Sequence, residues 1–444
     1  MMKLRSKLRD NPLSPPQILA IGFFIIITLG TLFLKLPISR TMPLSWLDAF
    51  FTATSAVTVT GLIVVDTGTA FTTFGQTVLM ILIQIGGLGF LTFAVMSILL
   101  LGKKIRLKER LLMQEALNQN SMGGIIRLIR TLFYFAITME LIATALLSIR
   151  WIPEFGVGRG LFISLFHAIS SFNNAGFSLF TDNLSQYVAD PLINIVITLL
   201  FVSGGIGFTV IFELMHKRKW HTWTLHTKVM LIGTFLINVF AVLSFFILEI
   251  NNPYTIGSMP LDDQLWGSFF QGLTPRTAGF NSLDYSQMNP STLMLTIFLM
   301  FIGGGSASTA SGIKVTTLII IILAVVAYLR GNSQVFAFRQ RIDTEVVIRS
   351  LSIIVISFFI VFIAIFILAV TEDLPMMSLV FEAFSAFGTV GLSTGITDQL
   401  SVIGKLVIML LMFVGRVGPL TIAFSLARSK TPRISYPKGE IFTG

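Results

Sequence analysis

Eight long apolar blocks limit the folds open to this chain more than any other feature of its sequence. They lie at 17–36, 77–101, 132–147, 192–214, 228–248, 293–328, 346–370 and 406–426. Each approaches or exceeds the roughly 20 residues that an α-helix needs to cross a bilayer. Only 12% of the 444 residues are charged, about half the share usual in a soluble domain. A water-soluble helix would set one polar face against one apolar face, and these blocks do not. The expected fold class is therefore an all-α polytopic membrane protein. The N-terminus is basic, and the first block is longer than a signal-peptide core, so no cleavable signal is expected. Cysteine is absent, which excludes disulfides and thiol chemistry.

The net charge of +10 is unevenly placed. Most Lys and Arg residues fall in five stretches: Lys3 to Arg9, 103–130, 217–228, 330–349 and the C-terminus from Arg428. The alternate connections carry acids instead, among them Asp48, Asp66, Glu154, Asp182, Asp262, Asp263, Asp284, Glu372 and Asp373. Basic segments remain cytoplasmic. Eight blocks with alternating flanks then place both termini inside a cell membrane. The charge reports topology, and no nucleic-acid partner is expected.

Between successive block pairs, on the acidic side, four short segments repeat. They read FTATSAVTVTGLI, FHAISSFNNAGFS, FFQGLTPRTAGFN and FEAFSAFGTVGLS, and align on Gly61, Gly176, Gly279 and Gly391. Phe51, Phe166, Phe269 and Phe381 stand ten positions before those glycines. A second fourfold register lies in the following block: IGGLGF (85–90), SGGIGF (203–208), IGGGSASTASGIK (302–314) and VGRVGPL (414–420). The expected unit is helix, pore loop and glycine-broken helix, giving eight transmembrane helices plus four re-entrant pore helices in pseudo-fourfold arrangement. Its divisions are an N-terminus (1–16), repeats at 17–105, 106–220, 221–332 and 333–428, and a cytoplasmic tail (429–444).

Irregular backbone at membrane depth is tolerated where protein buries it or where it lines a watery cavity. Four such loops on one axis would offer main-chain carbonyls to a dehydrated cation. Glycine permits the dihedrals and the close approach this needs, and the half-helices would aim their negative ends at the ion. The expected filter comprises Val59, Thr60, Gly61 and Leu62; Asn174, Ala175, Gly176 and Phe177; Thr277, Ala278, Gly279 and Phe280; and Thr389, Val390, Gly391 and Leu392. The fourth segment, Thr-Val-Gly, matches the first three letters of the potassium-channel TVGYG filter.

These motifs resemble the superfamily of Trk, Ktr and plant HKT potassium transporters over nearly the whole chain. HAISSFNNAGFS, TPRTAGFNS, FIGGGSASTASGIK, SAFGTVGLS and YPKGEIFTG are most similar to the membrane subunit of bacterial Ktr systems, of the KtrB or KtrD type. The resemblance implies potassium as the transported ion, since all four filter positions are glycine. It also implies a homodimer seated on a cytosolic, octameric-ring-type regulatory subunit that binds nucleotide. Sodium dependence is known in such systems and is left open, as is a sodium- or proton-coupled symporter. No tightly bound cofactor and no resident metal beyond transported K⁺ are expected.

The third unit departs from the others. Gly303, Gly304, Gly305, Ser306, Ala307, Ser308, Thr309, Ala310, Ser311 and Gly312 form an unbroken run of small residues. Close helix packing would use such residues, but it explains a pair of them better than ten. An unwound loop beneath the filter is the alternative, and the resemblance implies a flexible gate there. Lys314 follows the run and Arg416 sits in the equivalent break of the fourth unit. Cations at membrane depth are usually functional, so Arg416 is expected to hold the loop closed, unless it only braces a broken helix. Glu140 reads as a packing or interhelical hydrogen-bonding group, with a proton relay as the alternative that lacks an acidic or histidine partner in sequence. His167 reads as packing, Arg276 as a brace behind the third loop, and Trp46, Trp151 and Trp266 as interfacial. Neither IGGLGF nor SGGIGF has the spacing or context of a nucleotide-binding loop, and nothing points to an enzyme. The basic cluster at 103–110 suits membrane lipid or, as the resemblance implies, the regulatory ring, and the tail at 436–444 suits the ring.

Overall fold

The computed structural model describes residues 15–100 and 124–426, and these are mostly helical. The basic N-terminus, the cluster at 103–110 and the tail at 436–444 lie outside the described residues. Helix α1 (Pro15–Lys35) is followed by a short helix α2 (Trp46–Val57), then α3 (Thr73–Leu88) and α4 (Phe90–Leu100). The same order follows in α5 (Ile125–Phe155), α6 (Val157–Phe172), α7 (Pro191–Gly205) and α8 (Phe208–His216). Next come α9 (Leu225–Glu249), α10 (Leu261–Leu273), α11 (Pro290–Phe301) and α12 (Val315–Leu329). A small hairpin, β1 (Val335–Ala337) and β2 (Gln340–Ile342), leads to α13 (Thr344–Thr371), α14 (Met376–Gly388), α15 (Val402–Val417) and α16 (Pro419–Leu426).

The eight apolar blocks behave in two ways. Four helices, at 17–35, 126–155, 225–249 and 344–371, are unbroken and long and apolar enough to cross a membrane. The others are interrupted where the glycine motifs fall. Gly89, Gly207 and Gly418, equivalent in the aligned motifs, all have positive φ (82°, 109° and 97°). Side chains resist that conformation and glycine does not. At Gly207 the chain turns so sharply that α7 and α8 lie 97° apart.

The surface is inverted relative to a soluble protein. Phe24, Phe240, Phe359, Phe362 and Leu410 are each more than half exposed, whereas Ser55, Asn174, Thr277, Glu249 and Glu382 are buried. An apolar exterior of this extent is stable only against lipid or a partner. The helix starts are capped where polar chain meets apolar block. Ser45, Thr72, Thr224 and Ser401 each accept a main-chain N–H of the first turn, and Asp190 accepts from Leu192 and Ile193.

One aromatic assignment is overturned. Trp151 is fully buried, its ring 4.8 Å from His167 and 5.5 Å from Phe180. Gly156 alone separates α5 from α6, so α6 folds back tightly and covers the Trp151 face. Trp46 does lie at the surface, with the Lys35 ammonium 4.7 Å from its ring.

Candidate functional site

The four glycine segments share one backbone signature. The glycine has positive φ, at 93°, 67°, 76° and 92° for Gly61, Gly176, Gly279 and Gly391. The residue two before it is also left-handed: Val59 51°, Asn174 57°, Thr277 70° and Thr389 47°. In an ordinary strand successive carbonyls alternate sides, whereas alternating handedness turns consecutive carbonyls toward one side. Three of the four non-glycine positions are β-branched, for which a positive φ is a true outlier. Strain of that kind persists only where the surroundings enforce it, most often at functional sites. At Val59, Thr277 and Thr389 the left-handed turn has no sequence signal, and Asn174 alone of the four is of a type that favours it.

The glycines lie against one another in a closed cycle. A Cβ on Gly61 would sit 3.1 Å from the Gly176 Cα and collide with the Ala175 carbonyl oxygen. One on Gly176 would sit 2.8 Å from the Gly279 Cα, and one on Gly279 would strike the Val390 carbonyl oxygen. One on Gly391 would sit 2.9 Å from the Gly61 Cα and strike the Thr60 carbonyl oxygen. Residues separated by more than a hundred positions therefore meet backbone to backbone, and no side chain fits at any of the four sites.

Hydroxyls on the short helices brace these segments. The Ser55 and Ser385 hydroxyl oxygens accept the Gly61 and Gly391 N–H at 3.0 and 3.1 Å. Those of Ser170 and Thr274 donate to the Phe177 and Phe280 carbonyls at 2.8 and 2.5 Å. The third brace exposes an alignment error. Thr274 stands five before its glycine while the serines stand six before theirs, and Phe270, not Phe269, is fully buried like Phe51 and Phe381. Backbone bonding agrees: Thr60, Ala175 and Val390 donate five residues back, but Ala278 donates four back, to Thr274. The third segment is one residue shorter than the others between its bracing hydroxyl and its glycine. The side chains matching His167 are then Thr52, Gln271 and Glu382, all polar and buried. His167 pairs with the Ser178 hydroxyl at 3.0 Å, Gln271 accepts the Ser282 N–H at 3.1 Å, and Glu382 accepts from Thr397. Each ties its short helix to the chain just beyond the glycine.

On the acidic-connection side of the glycines lies a cavity of about 640 Å³ lined by Gly61, Gly176 and Gly391 and by Asp66, Asp182, Asp284 and Asp398. Those aspartates follow the four glycines by five to seven residues, a spacing too loose to align without the structure. On the other side, residues 303–312 are not helical. The run is pinned at its base, where Gly303 N–H donates to Ile313 at 2.9 Å and Val315 N–H to Gly304 at 3.1 Å. It leans on the α7–α8 break: Gly305 N–H donates to Gly205, Phe208 N–H to Ala307, both at 2.7 Å, and Thr309 N–H to Gly204 at 3.2 Å. Gly305 and Gly204 permit this approach, since a Cβ on either would hit backbone.

Arg416 reaches this run from α15. Its guanidinium donates to the Thr309 carbonyl and to the Ser311 hydroxyl at 3.3 Å, and also to the Gly86 and Gly87 carbonyls at 2.5 and 2.7 Å. Lys314 folds back onto the Ala310 carbonyl at 2.8 Å. Both cations line a cavity of about 270 Å³ below the run. Arg276 is buried behind the third segment, donating to Asn238 at 2.5 Å and reaching the Gly303 carbonyl at 3.4 Å. Glu140 accepts from Gln84 at 3.1 Å, and Asn173 donates to Gln84 at 2.5 Å, an interhelical network whose particular partners the sequence does not name.

Residues 11–435 match the family model TrkH, described as a cation transport protein. The chain is 59% identical to the Ktr system potassium uptake protein B of Bacillus subtilis, over 97% of each chain. It is 41% identical, over the full length of both, to the potassium/sodium uptake protein NtpJ of Enterococcus hirae. The crystal structure of the potassium transporter TrkH from Vibrio parahaemolyticus has the same fold, with a TM-score of 0.74 over 94% of this chain and 86% of that one, at 19% identity.

Proposed function

We propose that this chain, which belongs to the TrkH family of cation transport proteins, conducts potassium across the cell membrane through the backbone encircled by Gly61, Gly176, Gly279 and Gly391. It is a transport protein of the Trk/Ktr superfamily and not an enzyme. The observation that carries the ion reading is the closed cycle of glycine backbones, each pressed on its neighbour, with left-handed residues on every segment. A potassium ion sheds water only where oxygens replace it, and four carbonyl-bearing segments around one axis supply them. The four short helices then act as re-entrant pore helices, the four long helices as outer spans, and the broken pairs as inner spans. Relatives named for potassium uptake support the choice of ion.

The 303–312 run is the gate in this reading. It lies between the glycine ring and the lower cavity, and Arg416 holds it from the neighbouring fourth unit. The membrane subunit works as a homodimer on a nucleotide-binding cytosolic ring, with basic segments and both termini inside. A second reading, sodium-coupled uptake, is favoured by the name of the Enterococcus hirae relative. Potassium uptake in a transport-deficient strain tests the proposal, with and without sodium and with a regulatory subunit present. Sodium-independent rescue supports a channel-like path, rescue only with sodium supports coupling, and no rescue from protein present in the membrane overturns both.

A further inference from the structure

Asn174 is the filter-segment residue whose side chain reaches both the neighbouring segment and the 303–312 run. Its Oδ1 accepts from the Thr309 hydroxyl at 2.8 Å, and its Nδ2 donates to the Thr277 hydroxyl at 3.2 Å. All three residues are buried, with Asn174 1% exposed and the other two fully covered. The equivalent positions cannot do this. Val59 has no polar side-chain atom, and the Thr389 hydroxyl is buried without a hydrogen-bond partner. Asparagine is also among the few residues that accept a left-handed backbone without large strain.

The surroundings are shaped to this contact. A Cβ on Gly204 would stand 2.8 Å from the Thr309 hydroxyl and 3.0 Å from the Asn174 Oδ1, and would collide with the Phe172 carbonyl. Glycine at 204 thus leaves the space in which loop and filter meet. We propose that Asn174 is a positioning residue that lets the run, in its closed place, set the geometry of the second and third filter segments and with it the preference of the closed filter for binding potassium over sodium. The inference rests on the filter and gate reading above. Carbonyl spacing decides how well an ion is coordinated. Displacing Thr309 unpairs Asn174 Oδ1 inside a buried site, and the Asn174 side chain must then find another partner. Thr277 loses a fixed neighbour in turn.

The test uses the full-length protein, measuring potassium binding in detergent against rising sodium to read discrimination, alongside potassium flux in proteoliposomes. Thr309→Val, which removes the hydroxyl at nearly constant volume, is expected to lower discrimination about fivefold, the size of one net hydrogen bond. Thr309→Ser restores it. Thr277→Val, at the far end of the relay, lowers it similarly, and the double variant falls no further than either single one. The relay is overturned if Thr309→Val alters flux but leaves discrimination unchanged, or if the two substitutions add. Should Thr309→Val fail to fold, Thr277→Val against Thr277→Ser decides the matter alone. Arg416→Ala separates the layers. Unchanged flux there removes the gate reading, while the discrimination measurements still judge the relay.

Discussion

Replacing Arg416 with alanine removes a guanidinium that donates to four oxygens on two sides of the chain: Thr309 and Ser311 on the 303–312 run, Gly86 and Gly87 at the α3 end. The contacts to Gly86 and Gly87 do not depend on where the run lies. Those to Thr309 and Ser311 do. A hydrogen bond from a charged donor contributes about 1.5–3 kcal/mol net, so on the proposed gate reading two of them favour the closed position by roughly 3 kcal/mol at the lower bound. At about 1.4 kcal/mol per factor of ten, the closed-to-open ratio falls roughly a hundredfold. Flux rises until the open population saturates. The assay is rubidium or potassium uptake into proteoliposomes holding the membrane chain without a regulatory subunit. Arg416→Lys gives an intermediate rise, because an ammonium carries charge but lacks the planar fork that spans two units. Unchanged or reduced flux from correctly folded Arg416→Ala would refute the clamp. Equal flux from the alanine and lysine variants would refute the role of geometry.

Gly391→Ser places a side chain against the Thr60 carbonyl and 2.9 Å from the Gly61 Cα, and is expected to lower potassium uptake more than tenfold at unchanged membrane abundance, read by uptake and immunoblot together. Glu249 accepts from Asn252, Thr255, Asn289 and Thr292, so Glu249→Ala, which leaves several buried donors unpaired, destabilises by about 3 kcal/mol, seen as a lower midpoint of thermal unfolding in detergent. Trp151→Ala opens a cavity against His167 and Phe180 and costs about 3–5 kcal/mol, whereas Trp46→Ala at the surface changes the midpoint little. At Glu372, past the end of α13, burial disfavours the charge, but hydrogen bonds from Ser401 and Thr371 outweigh it and hold the carboxyl below its ordinary range. That stabilisation is present above the unfolded value of about 4 and is lost as pH falls through the depressed folded value. Glu372→Gln should therefore flatten the acid limb of a stability–pH profile, and an unchanged limb counts against the assignment.

Much of this protein is legible along one dimension. Apolar blocks long enough to span a bilayer, the alternation of basic and acidic connections, and the two glycine registers are properties of spacing, and spacing needs no partner. The positive φ at Gly89, Gly207 and Gly418 follows the same logic, because a glycine inside an apolar helix marks where the helix can break. What spacing could not reveal were contacts between distant residues. The missing residue before Gly279 shows only when Phe270 and Thr274 take the places that Phe51 and Ser55 hold in the first unit. Trp151 reads as interfacial until α6 folds over it. Val59, Thr277 and Thr389 carry no mark of a left-handed backbone, since neighbouring segments and not their own preferences hold them there. The partners of Arg416 and Asn174 lie some hundred or more residues away. Those pairs exist because four units close on one another, and closure is a property of packing that no single stretch of chain contains.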